Sequence, residues 1–215
     1  MKFVCSLTLS LVLLSFISNL SPAFSKDGSG IIDTNFFPVH QDGRYYIVPS
    51  YFAIRVGRLK LAKTGDFSNC PVTVLEQDFP TDDKGVSVKF SIIGTSYDIL
   101  TGTPIEIEFT KKPDCVESSK WLVFVDKAIQ KSCVGIGGPE NYPGMEILNG
   151  TFNIQKNGLS TYKFVFCVSG YNTCSNIGWY KNGEDGARLI LTDKPISGFS
   201  FYEAPYEDGV IKSVV

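Results

Sequence analysis

The chain has 215 residues, 43% of them hydrophobic and 20% charged, which suits one globular domain or at most two and excludes a disordered or collagen-like chain. Its 20 Lys and Arg against 22 Asp and Glu give a net charge of −2, with no basic bias to recruit nucleic acid. One histidine, His40, rules out a multi-histidine metal site, while 16 Phe and 10 Tyr favour a β-rich core.

In chain order, Lys2 precedes an apolar run from Val4 to Ile17, followed by small residues at Ala23 and Ser25. This is the three-part pattern of a secretory signal peptide, so residues 1–25 are read as a leader and 26–215 as a single mature domain. The apolar run is short for a membrane span and nothing later replaces it, so the mature form is expected to have no membrane partner.

Beyond the leader no stretch carries a helical period. Short apolar or alternating runs predict strands at Tyr45–Val48, Arg58–Leu61, Val72–Leu75, Val86–Phe90, Ile105–Phe109, Trp121–Val125, Thr151–Ile154, Tyr162–Phe166, Arg188–Leu191 and Gly198–Phe201. Asp42-Gly43, Lys84-Gly85, Gly137-Gly138-Pro139, Asn157-Gly158 and Asn182-Gly183 supply turns between them. Ten or more strands in about 185 residues mean an all-β barrel or sandwich. An aromatic-plus-aliphatic run recurs at Tyr45, Trp121 and Tyr162, suggesting three units of about four strands at unequal spacing. Residues from about 203 onward read as a C-terminal tail.

Secretion permits disulfides. Cys70, Cys115, Cys133, Cys167 and Cys174 remain after the leader, an odd number whose spacing leaves several pairings open and contains no zinc-like motif. Asn149-Gly150-Thr151 is a glycosylation acceptor on the mature chain. His40 sits among turn residues with no positioned nucleophile and reads as a surface histidine. Glu106 and Glu108 share one strand face about 7 Å apart, a glycosidase-like separation that is more simply a solvated face. No nucleotide, phosphate or hydrolase motif occurs, so the chain is read as a non-enzyme without a cofactor.

Ile32-Asp33, Pro38-Val39, Asp42-Gly43 and Tyr45-Tyr46-Ile47-Val48-Pro49 together resemble the N-terminal signature of the plant Kunitz-type (soybean trypsin inhibitor-like) proteins, legume members above all. Thr64-Gly65, Cys70-Pro71-Val72-Thr73-Val74, Lys84-Gly85, Cys115, Trp121, Phe164-x-Phe166-Cys167, Cys174, Ile177-Gly178 and Arg188-Leu189 follow in the family's order, so the resemblance runs from about Ile31 to Phe201. It implies a β-trefoil of about twelve short strands with pseudo-threefold symmetry. It also implies the disulfides Cys70–Cys115 and Cys167–Cys174, with Cys133 left as a thiol. Beside Val134 and Ile136, that thiol is expected to be buried and inert.

The resemblance further implies a monomeric secreted protease inhibitor, delivered to the extracellular space or the vacuole and directed at a serine endopeptidase. Its substrate-like loop would span about 91–100, with Thr95 at the primary specificity position, Ile93, Gly94, Ser96 and Tyr97 around it, and Gln41 at the family's bracing asparagine. No Arg or Lys occurs between Lys89 and Lys111, so strong trypsin inhibition is not expected. A slip in register would instead offer Tyr97 or Leu100 to an apolar pocket. Two departures stand out: Gln41 is one methylene longer than asparagine, and Phe36 replaces a family glycine, which requires a different turn or a shifted register. The alternative is a non-inhibitory secreted trefoil that binds a protein or ligand, or a cysteine-protease inhibitor that uses another loop.

Overall fold

The computed structural model describes residues 28–50, 59–77, 85–92, 96–183 and 186–205. The leader 1–25, Arg58, Lys84, the three residues Ile93, Gly94 and Thr95, and the chain from 206 lie outside the described residues.

The alternating runs form antiparallel strands because one face of each is apolar and the sheet curls to bury it. Thirteen strands are described: β1 (Tyr45–Pro49), β2 (Leu59–Ala62), β3 (Thr73–Glu76), β4 (Val88–Ile92), β5 (Pro104–Phe109), β6 (Trp121–Asp126), β7 (Lys131–Ile136), β8 (Glu146–Leu148), β9 (Gly150–Lys156), β10 (Tyr162–Val168), β11 (Cys174–Tyr180), β12 (Ala187–Thr192) and β13 (Phe199–Glu203). Six of them close a ring in the order β1, β4, β5, β9, β10, β13, with Tyr162 opposite Phe199 and Tyr45 opposite Glu203 completing the circuit. The hairpins β2–β3, β6–β7 and β11–β12 cap one end and meet through pairings of β3 with β7, β7 with β12 and β12 with β3. A six-stranded barrel capped by three hairpins is a β-trefoil.

All ten expected strands begin within two residues of where the hydrophobic pattern places them, but the threefold repeat needs correction. Its units start at β1, β5 and β10, that is at Tyr45, Pro104 and Tyr162, intervals of 59 and 58 residues. Trp121 opens a cap strand instead of the second barrel strand, which is why the apparent spacing was uneven. The thirteenth strand arises at Asn149, which separates β8, paired with β6, from β9, paired with β5 and β10.

Inside the barrel Phe164 lies 5.2 Å from Phe199, 5.9 Å from Phe201 and 5.8 Å from Trp121 between ring centroids. These rings are buried, and burying each contributes about 1.5–3 kcal/mol. Under the cap, Phe124 and Tyr142 pack at 4.4 Å, and a buried ion pair joins Asp126 of β6 to Arg188 of β12 at 2.6 Å. Cys70–Cys115 and Cys167–Cys174 are disulfides, and Cys133 is buried in β7.

Candidate functional site: a loop held at both legs

Strands β4 and β5 are paired from Val88 opposite Phe109 to Ile92 opposite Ile105, so the chain between Ile92 and Pro104 leaves one end of the barrel. Its second leg, Tyr97 to Thr101, is held by the N-terminal segment. Ile31 N donates to Ile99 O at 3.1 Å, Ile99 N to Val39 O at 2.9 Å, and Thr101 N to Ser29 O at 3.0 Å. Ile31, Val39 and Ile99 are fully buried, so this clamp has an apolar root as well as hydrogen bonds. The clamp was not identified in the sequence, although Ile31 and Val39 are apolar residues in the N-terminal signature.

Gln41 reaches both legs. Its Nε2 donates to Ser96 O at 2.5 Å and its Oε1 accepts from Ile92 N at 3.3 Å, while its own backbone N donates to Tyr97 O at 3.1 Å. One side-chain amide therefore spans the residues on either side of 93–95. An amide suits this position because it offers a donor and an acceptor from the same flat group. The extra methylene of glutamine is accommodated. Ser96 is exposed, and its Oγ donates to Asp98 O at 3.0 Å, which fixes the first turn of the second leg. Leu100 faces Gly30 across a β-bridge and is half-buried, so a slipped register would have to pull it out of a paired position.

His40 is half-buried, not a loose surface residue. Its ring stacks on Tyr97 at 4.8 Å with an interplanar angle of 20°, and its backbone N donates to Tyr45 Oη at 3.1 Å. Among the described residues, no hydrogen bond joins its ring to a nucleophile. At the position of the family glycine, Phe36 adopts the left-handed conformation itself, with φ of 66°. Asp33 makes that possible, since its Oδ1 accepts from Asn35 N at 2.8 Å and Phe37 N at 2.9 Å.

Glu106 and Glu108 do share a face. Lys120 Nζ holds Glu106 at 2.8 Å, a hydrogen bond that raises the Lys120 ammonium above its ordinary pKa, and Ser119 Oγ donates to Glu108 at 2.9 Å. The adjoining cavity of about 440 Å³ is lined largely by apolar side chains such as Ile105, Trp121, Leu148 and Phe152. A carboxylate committed to a lysine beside an apolar recess is a solvated strand face, not a glycosidase pair. Asn149 and Thr151 are exposed at the break between β8 and β9.

The model of the legume Kunitz family, described as trypsin and protease inhibitor, matches residues 31–202. The chain belongs to that family. It is 50% identical to the Kunitz-type trypsin inhibitor-like 2 protein of Pisum sativum, with all of both chains covered. It is 47% identical to the subtilisin inhibitor CLSI-II of Canavalia lineata over 87% of this chain and 99% of that one. Among solved structures, a Kunitz-type trypsin inhibitor from Cicer arietinum matches with a TM-score of 0.77 at 51% identity, covering 82% of this chain and 99% of its own. Kunitz-type family members are protease inhibitors, not enzymes.

Proposed function

We propose that this Kunitz-family protein inhibits a serine endopeptidase by presenting residues 91–100 as a substrate-like loop, with Thr95 entering the primary specificity pocket and Gln41 bracing the loop. The observation that carries this reading is the amide of Gln41 bonded to Ile92 on one side and Ser96 on the other. A loop held in its bound shape loses little conformational freedom on docking, and that preorganisation is where the affinity comes from. The same brace opposes hydrolysis. If the bond after Thr95 were cut, Gln41 and the N-terminal clamp would keep the new ends together, and re-ligation would compete with release.

Thr95 suits a small or apolar pocket, and with no basic residue in the loop the acidic pocket of trypsin has no partner. The resemblance to a subtilisin inhibitor supports a subtilisin-like target. The leader pattern supports delivery to the extracellular space or vacuole, the exposed Asn149 supports a glycan there, and the burial of Cys133 supports a monomer without intermolecular disulfides.

The test is stoichiometric inhibition across trypsin, chymotrypsin, elastase, subtilisin and papain, using the mature disulfide-intact protein. We expect inhibition of subtilisin or elastase, lost when residues 93–97 are replaced, and trypsin inhibition gained by Thr95→Arg. Inhibition of papain alone, surviving that replacement, would place the activity on another loop. A folded protein that inhibits nothing, with no gain from Thr95→Arg, would make it a binding module.

A further inference from the structure

We infer that His40 is a positioning residue that holds Tyr97 as a second, specificity-determining contact for an apolar or aromatic wall on the leaving-group side of the protease cleft; this rests on the loop reading above. Tyr97 is 56% exposed, and a single exposed aromatic is ordinarily unremarkable. This one is the outer end of a column of rings rooted in the core. Phe90 inside the barrel lies 6.0 Å from the buried Tyr45, Tyr45 lies edge-on to His40 at 6.2 Å, and His40 stacks on Tyr97 at 4.8 Å.

The backbone at both ends of the stack is fixed as well. Tyr45 Oη accepts from His40 N, Gln41 N donates to Tyr97 O, and His40 pairs with Asp98 in a β-bridge. Meanwhile His40 Nδ1 is buried with no hydrogen-bond partner among the described residues. The imidazole therefore serves at this position as a flat ring and not through Nδ1 chemistry.

Tyr97 follows Thr95 by two residues, on the leaving-group side of the proposed scissile bond, and its ring is exposed there. Tyrosine is enriched among residues that dominate binding energy, because it supplies a large contact with few rotatable bonds. Holding its ring before docking removes part of the ordering cost, which corresponds to roughly a tenfold change in affinity.

The experiment measures inhibition constants against subtilisin and, in a Thr95→Arg background, against trypsin. The proteins are the parent, Y97A, H40A, H40F and the H40A/Y97A double variant, with thermal melting confirming that each is folded. We expect Y97A to weaken inhibition by roughly thirtyfold and H40A by roughly tenfold. H40F should restore most of the loss because it keeps the stacked ring. H40A should add less than about twofold on top of Y97A, since the two act as one unit. Independent, additive losses would overturn the inference, as would an inert Y97A in a protein whose Thr95→Arg form inhibits trypsin. If H40A fails to fold, Y97A and H40F still decide. If wild type spares subtilisin and Thr95→Arg gains no trypsin inhibition, the loop reading falls and takes this inference with it.

Discussion

Phe36 and Gln41 stand where the family pattern has glycine and asparagine, and the structure accommodates Phe36 in a left-handed conformation and Gln41 with its amide bonded to both legs of the loop. For Phe36 the accommodation costs about 1–2 kcal/mol of left-handed strain. Its side chain is 69% exposed and so recovers little by burial. Phe36→Gly should therefore stabilise the protein by about 0.5–1 kcal/mol after the added freedom of the unfolded chain is subtracted, read as a shift in the urea midpoint. No gain would mean that Phe36 packs more strongly than its exposure indicates. The family resemblance pointed to Gln41 as the brace position, but the reach of its side chain was not legible in the sequence. The 55 residues separating Gln41 from Ser96 carry no local signal that one amide will span both legs. Removing it in Gln41→Ala deletes two hydrogen bonds, each contributing about 1 kcal/mol, so inhibition should weaken at least about tenfold and the loop should be cut faster. Timed digestion followed by mass measurement would show cleavage within residues 92–96.

At the scale of elements, the strands found from sequence are those whose alternation is clean, such as Ile105 to Phe109 in β5 and Tyr162 to Phe166 in β10. Those overlooked were β7, β8 and β11. Gly135 in β7 and Gly178 in β11 interrupt the apolar pattern, and both are there for packing. A Cβ on Gly135 would lie 2.9 Å from Val72 O, and one on Gly178 would lie 2.8 Å from a methyl of Thr192. Close approach between cap hairpins at Gly135, and within one hairpin at Gly178, thus erases the very signal by which a strand is recognised. The two disulfides act on different lengths of chain. Cys70–Cys115 closes a 45-residue separation, whereas Cys167–Cys174 joins residues directly opposite in the β10–β11 hairpin, seven apart in sequence. Chain-entropy arithmetic assigns about 4 kcal/mol to the first and about 2.5 to the second. Replacing each pair by alanine should reproduce that order in equilibrium denaturation. A reversed order would mean that the short bridge holds something beyond its own hairpin.

For the whole molecule, stability should fall at alkaline pH. Burial raises the phenols of Tyr142 and Tyr45 above their ordinary value of about 10, Tyr142 far above it. Tyr142 Oη donates to Ile136 O at 2.7 Å inside the cap, and Tyr45 is rooted in the barrel. Above pH 10 the unfolded chain releases protons that the folded one keeps, so unfolding is favoured progressively as pH rises. Each tyrosine's contribution is present in full below pH 10 and is lost above it at up to about 1.4 kcal/mol per pH unit, until the phenol of the folded protein itself ionises. Urea midpoints measured between pH 8 and 11 should be flat and then drop. Tyr142→Phe would lose the bond to Ile136 yet flatten that drop, and an unchanged drop would assign it elsewhere.

Composition, alternation and turn residues determined by themselves that the chain is all-β, because a half-buried strand must alternate and a β-turn must carry Gly, Asn or Asp. The ordered series of family residues further supplied the trefoil and its disulfide pairing. Only the tertiary structure decided which strands close the barrel and which cap it, since Trp121 and Pro104 compete for the same role and local pattern favours the wrong one. It alone brought His40 to Tyr97 and Gln41 to both Ile92 and Ser96. Such contacts lie more than fifty residues apart in sequence, and they arise when three four-strand units fold back to bury one another's apolar faces.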